Sequence, residues 1–514
     1  MTSNRWILLI ACLAGGLGAL HYGFSLEWDL LNYHLYDPHA LLSGRMAIDV
    51  APAQQQTYLN PALFIPMYLV FKTFGTAVLV FIIGAIQAGQ LLLLWLILQE
   101  LTGHRIREWW MLLLVAALGL GGPIFLNQLG GSQGDTLLSV LVLAGLLAVM
   151  RDLARPDDSN TLYSGILAGV LIGMACALKL TFSIYALSLG LAAFLCFNGT
   201  RRWRMVLGIA LGGGLGIGLA GGAWFIYQWQ IYGNPLFPYF NNLFDSHWIG
   251  QGDYRDLRFM PGSTAEWILY PYYWLMDPQR VWEFSFRDLR VPLVITVAFL
   301  LPLLAWRKMR DQAPALRLVL IFIGLSYLSW IRLFSIYRYL SVVELLAPVV
   351  IFSSVVLLNQ SRRVLLITLV ALIGSQALVE YHRGSGTWEF QPGTATRLDD
   401  LPADAMVLID GYEPVAYAAL WLNDDVPLVR IRTNFMRTTE AQHKLHAMAH
   451  QAVRQHPGSF FLLLSQADVE AGFLDGDLAQ VGLRLPGLEA CTAVFDSEGL
   501  QGRLGLKLCR LEIL

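Results

Sequence analysis

The stretch Glu27-Trp28-Asp29-Leu30-Leu31-Asn32-Tyr33-His34-Leu35-Tyr36-Asp37 follows directly on an apolar run from Trp6 to Tyr22 and leads on to Asn60-Pro61. An apolar segment that gives way at once to three carboxylates, a histidine and two phenols reads as a membrane span opening into a polar loop. If residues 29–36 are α-helical, Asp29, Tyr33 and Tyr36 share a face, because positions i, i+4 and i+7 align. A carboxylate placed there is suited to act as a general base. The competing reading is that Asp29 caps a helix that begins just outside the bilayer.

Composition agrees with a membrane protein. Of 514 residues, 56% are hydrophobic and only 14% charged, with a mean hydropathy of +0.53. Soluble domains carry roughly 25% charged residues. The formal net charge of −2 offers no footing for nucleic acid. Sixteen Trp and twenty Tyr suit the aromatic belts at membrane–water boundaries. Residues 6–22 read as an uncleaved first span, since many further spans follow.

A helix crossing the hydrocarbon core needs about 20 apolar residues. Windows of that kind fall at 5–25, 76–99, 109–127, 136–151, 162–180, 183–198, 206–228, 291–306, 317–333, 339–359 and 364–381, about eleven in all. Residues 63–74 are apolar but short, and read as a re-entrant or interface-lying helix. Basic residues cluster at Arg5, at His104–Arg107, at Arg151 with Arg155, at Arg201–Arg204, at Arg307–Arg310, and at Arg362 with Arg363. These clusters occupy every second connection, which marks that side as cytoplasmic. The amino terminus is then cytoplasmic in a plasma (bacterial inner) membrane. The 26–75 loop, the 128–135 loop, the turn near Lys179, the 229–290 segment and the carboxyl tail face the other way.

From about Gly384 the composition becomes that of a soluble domain. Strands are predicted at 405–410, 427–431, 460–465 and 492–495, and helices at 413–422 and 438–455, which makes a small α/β module. The chain is therefore read as a polytopic α-helical membrane domain, 1–383, followed by an extracytoplasmic (periplasmic) α/β domain, 384–514. Cys491 and Cys509 either pair or remain as two buried thiols.

The candidate chemistry lies on the outward side. Glu27 and Asp29 form an acid-x-acid triplet that is a weak candidate for a divalent cation, so the cofactor reading is none or one such ion. His34 and Asp37 are spaced for a hydrogen bond. Asp135 ends a Gly/Ser/Gln-rich turn, either as a first-turn helix carboxylate or as a second active-site acid. Lys179 interrupts an apolar run, and a charge there faces a cavity or an anion, or else snorkels to the headgroups. Arg332 and Arg338 offer guanidinium forks suited to a phosphate, with Glu344 as a counter-ion. The Gly233-Asn234-Pro235 turn opens the aromatic-rich segment.

Taken together, these positions have a recognisable order. They are a first span followed by Asp29 with Tyr33, a Gly44-Arg45 turn, Tyr58-Leu59-Asn60-Pro61, Asp135, Lys179, the Gly-Asn-Pro-Leu-Phe-Pro loop and Arg338-Tyr339. The pattern resembles the GT-C superfamily of integral-membrane glycosyltransferases, which includes protein O-mannosyltransferases and lipid A aminoarabinose transferases. The resemblance covers residues 1–380. It implies a polyprenyl-phosphate-linked sugar as donor, a glycan, lipid or protein as acceptor, and transfer on the extracytoplasmic face with inversion. By the resemblance, Asp29 is the general base and Asp135 a second catalytic acid. Tyr33, His34, Tyr36, Asn60, Lys179, Asn234, Arg332 and Arg338 then bind substrate. Where many relatives carry an Asp-Glu pair, this chain has Asp29-Leu30. The competing functions are a transporter or flippase for lipid-linked saccharides, which would call for inverted repeats, and a non-catalytic membrane scaffold.

Overall fold

The computed structural model describes residues 2–155, 160–252, 254–384, 386–433, 443–470 and 476–514. The chain divides into two compact units. One comprises Met1–Tyr22, Val80–Gly222 and Asp256–Arg383; the other comprises Gly23–Leu79, Ala223–Arg255 and Gly384–Leu514.

Among the described residues, eight helices are long and apolar enough to cross a bilayer. They are Asn4–Tyr22, Pro61–Thr102, Asp135–Ala154, Thr161–Leu178, Gly199–Tyr232, Arg290–Gln312, Pro314–Leu333 and Tyr337–Leu358. The eleven expected spans include three that fall short. The 109–127 window breaks at Gly121-Gly122-Pro123, where Trp109–Gly119 ends and a short helix, Pro123–Gln128, begins at the proline. The windows at 183–198 and 364–381 yield helices of 14 and 16 residues, Ser183–Cys196 and Arg362–Ala377. The apolar stretch at 63–74 is helical, and Gly75, at φ 79°, separates it from the rest of Phe64–Thr102.

Within the first unit, Tyr337–Leu358 is the central helix, with 94% of its most apolar window buried against protein; for Asn4–Tyr22 the figure is 22%. Glycines line one close helix approach. Gly165, Gly169 and Gly173 of Thr161–Leu178 face Gly208, Gly212 and Gly216 of Gly199–Tyr232. A Cβ at Gly212 would lie 2.2 Å from the Ile166 carbonyl oxygen. Small residues at this spacing let two backbones touch where lipid supplies no hydrophobic drive.

The second unit is built on a five-stranded sheet. Its strands are β1 (Met406–Asp410), β2 (Leu428–Arg432), β3 (Phe460–Leu464), β5 (Cys491–Ala493) and β6 (Lys507–Arg510); β4 (Leu483–Arg484) and β7 (Glu512–Ile513) form a separate pair. The order is β2-β1-β3-β6-β5, with β1 parallel to both β2 and β3, and β6 antiparallel to β3 and β5. Four strands match the expected positions, and β6 was not anticipated. The expected helix at 413–422 is a 3-10 segment, Ala416–Trp421. Of the helix expected over 438–455, Lys444–Gln455 is present, and 438–442 lie outside the described residues.

The first polar loop joins this sheet. The Val50 amide donates to Leu428 O, and the Arg430 amide donates to Val50 O. Arg45 is wholly buried and holds Asp49 through two contacts of 3.0 and 3.1 Å, while it donates to the carbonyls of Asn423 and Val426. Asp49 in turn accepts the Leu428 amide at 2.8 Å. Cys491 and Cys509, opposite one another on β5 and β6, form a disulfide.

Candidate active site

In the second unit, the opening stretch is helical but not a regular α-helix. Leu30–His34 is a π turn, with Asp29 in helical geometry just before it. A π turn winds wider than an α-helix, so the i, i+4, i+7 alignment expected of an α-helix does not carry over to Tyr36. Asp29 is nearly buried at 8% exposure, and its side chain does not cap the turn. The imidazole of His34 stacks on Phe64, with ring centroids 4.0 Å apart, and Tyr33 meets both rings edge-on. Tyr36 takes a different part: its hydroxyl donates to Asp49 Oδ2 at 3.0 Å, which makes it a strut of the buried Arg45–Asp49 pair.

Asp37 is 3% exposed, and neither of its oxygens meets a hydrogen-bonding group among the described residues. The expected bond to His34 is therefore absent. Burial raises the Asp37 carboxyl well above the usual carboxylate range. Asn60 accepts the Ala62 amide and caps the short turn Pro61–Leu63. Asn234 uses both ends of its amide inside its own loop, donating to Tyr239 O and accepting from the Leu236 amide. Among the described residues no group of three His, Cys, Asp or Glu is gathered as a metal ion would require.

In the first unit the polar groups converge. Asp135 is the first residue of its helix and is wholly buried. Its Oδ1 lies 2.6 Å from Lys179 Nζ, and its Oδ2 accepts from Gln128 Nε2 at 2.9 Å. Lys179 is the residue at which Thr161–Leu178 stops, with an extended backbone (φ −151°, ψ 109°). This turns the side chain from the helix toward Asp135 and Gln133 O, the latter at 2.8 Å. The Lys179 ammonium also lies 5.6 Å from the centre of the Tyr339 ring, and the Arg338 guanidinium lies 5.3 Å from the same ring. Arg332 is exposed in the last turn of Pro314–Leu333. Glu344 is not a free counter-ion for Arg338: its two oxygens accept the amides of Ile124 and Phe125, each at 3.1 Å.

Sequence reading missed the shell that holds Asp135. Gln87 donates to Gln128 O and to Thr136, Gln90 donates to Thr136 O, and Ser139 and Ser341 meet at 2.9 Å beside the Asp135 carbonyl. The available signal was two glutamines inside an apolar span, where polar side chains are costly unless paired.

The sequence profile of glycosyltransferase family 87 matches residues 58–335, more than half of the chain. The chain belongs to glycosyltransferase family 87. No curated protein matches the sequence. Family 87 enzymes are membrane glycosyltransferases, and the eight apolar helices agree with a membrane protein. The matched region takes in Asn60, Asp135, Lys179, Asn234 and Arg332, whereas Asp29, Tyr33, His34, Tyr36 and Arg338 fall outside it. As a glycosyltransferase, the chain acts on a sugar donor and an acceptor.

Proposed function

We propose that the chain is a GT-C-type enzyme that moves a sugar from a polyprenyl-phosphate donor to an acceptor hydroxyl on the extracytoplasmic face. The observation that carries this reading is the Lys179–Asp135 pair beside Tyr339 and Arg338. A lysine at a span end, oriented by a buried carboxylate and neighboured by a guanidinium, suits the phosphate of a lipid-linked donor. With its carboxylate committed to Lys179 and Gln128, Asp135 serves as a positioning residue for that lysine.

The chemistry balances without a redox partner. A base takes the proton of the acceptor hydroxyl as the acceptor oxygen bonds to the anomeric carbon. The bond from that carbon to the phosphate oxygen breaks, its electron pair leaves with the polyprenyl phosphate, and the configuration inverts. Lys179 and Arg338 stabilise the charge on the leaving phosphate. The Cys491–Cys509 disulfide supports an oxidising, extracytoplasmic side for the carboxy-terminal sheet.

The test is Lys179→Met in the purified full-length protein, assayed with a polyprenyl-phosphate sugar. Transfer should drop by roughly 10²- to 10³-fold. Wild-type rates in a folded variant would remove the assignment of Lys179 to the donor phosphate.

A further inference from the structure

The carboxyl ends of β1, β2 and β3 hold a second polar cluster. In the order β2-β1-β3 the chain leaves β1 toward one neighbour and returns on the other side, and parallel sheets take up ligands beyond the carboxyl ends at such a switch point. Asp410 ends β1, Arg432 ends β2, and Ser465 and Asp468 follow β3. Arg432 bridges two acids, Asp410 Oδ1 at 2.9 Å and Asp477 Oδ2 at 3.1 Å. Asp468 is held by Ser465, whose hydroxyl donates to it at 2.9 Å, and it accepts the Tyr412 amide at 3.3 Å. The second arginine, Arg430, spends its guanidinium on the carbonyls of Pro52, Gly411 and Glu413.

Two groups in this cluster remain unmet. Asp410 is wholly buried, and its Oδ2 has no hydrogen-bonding partner among the described residues. His446 is 8% exposed, lies on the helix between β2 and β3 within the field of Asp477, and its Nε2 has no partner either. A buried polar atom left unpaired is costly, so two at one sheet edge call for a ligand.

We infer that this edge is a saccharide-binding site, in which Asp410 accepts hydrogen bonds from ligand hydroxyls and His446 makes a second polar contact. The charge balance selects the ligand. Asp410 and Asp477 share Arg432, and Asp468 adds a third acid held only by neutral donors, which disfavours an anion. Among the described residues, no three of the acidic and imidazole groups are gathered for a metal ion. Burial lowers the pKa of both His446 and its ring neighbour His450, so the imidazoles stay neutral and do not offset the acids. A neutral ligand rich in hydroxyl donors fits, and Tyr412, 38% exposed beside Arg432, adds a flat ring for a sugar face. The choice of a saccharide rests on the glycosyl-transfer reading, under which this edge would engage a sugar-bearing acceptor.

The experiment is saturation-transfer NMR on the full-length protein in nanodiscs, with the methyl α-glycosides of glucose, mannose and galactose as probes and putrescine as an amine control. At least one glycoside should receive saturation, and Asp410→Asn and His446→Gln should each cut that signal by about tenfold without lowering the melting temperature. Asp29→Asn should leave it unchanged. No glycoside signal, binding of putrescine alone, or a signal indifferent to both substitutions would overturn the inference and leave ordered water as the occupant. Because the readout is binding, inactivity toward a polyprenyl-phosphate sugar with this signal intact would count against the proposed function and not against this site.

Discussion

Asp135 and Asp410 are both wholly buried aspartates, one in the helical unit and one in the sheet unit, yet their surroundings differ. Asp135 has a cation of its own and an amide donor, and the glutamine that supplies the amide is itself anchored to Gln87. Asp410 shares its cation with Asp477 and keeps one oxygen unmet. Burial alone therefore says little about an acid's task. A fully paired carboxylate is built to hold something else in place, whereas a partly paired one is built to receive a ligand or a proton.

The largest expected effect tests the paired side. Asp135→Leu strands the Lys179 ammonium, which should cost about 3–5 kcal/mol of stability. The double variant with Lys179→Leu should recover most of that loss, read as melting temperature in detergent. A double variant no more stable than the single one would break the pairing argument.

The other side responds to pH. Burial first, then the fields of Asp477 and Asp468, lift the Asp410 carboxyl to about 7 against the pull of Arg432. The folded state therefore keeps a proton that the unfolded chain, with a pKa of about 3.9, has already released. Stability from this group falls as pH rises from about 4 through 7, and below about 4 the penalty vanishes. Asp410→Asn should flatten that component, on the order of 2–4 kcal/mol over the window. Parallel wild-type and variant curves of melting temperature against pH would show that Asp410 is not the group responsible. The smallest effect sharpens the contrast within the cluster itself. Ser465→Ala removes a hydroxyl that only steadies Asp468, and should cost about 1 kcal/mol with the pH slope unchanged.

Much of this architecture was legible in the chain. Apolar length picked out the positions of all eight long helices, because a bilayer demands about 20 residues whatever surrounds them. Four of the five main strands were readable from short apolar runs between turn residues. The misses share a cause. Gly121-Gly122-Pro123 looked like part of a span because hydropathy averages over the one place where backbone geometry breaks. The bond from Tyr36 to Asp49 went unseen because Asp49 lies 13 residues on and beyond a glycine turn. The strand β6 stayed hidden because its residues alternate Lys-Leu-Cys-Arg and become a strand only through pairing with β3 and β5.

By itself, the sequence determined a membrane protein with a terminal α/β module, and it marked Lys179 and Asp135 as residues needing explanation. Composition and periodicity are local quantities, and solvent alone enforces them. Only the tertiary structure decided that these two residues hold one another, that Cys491 meets Cys509, and that the first polar loop contributes backbone pairing to β2. Each of those facts is a contact between segments far apart in the chain, and such partners are chosen by packing and by the pairing of buried polar groups.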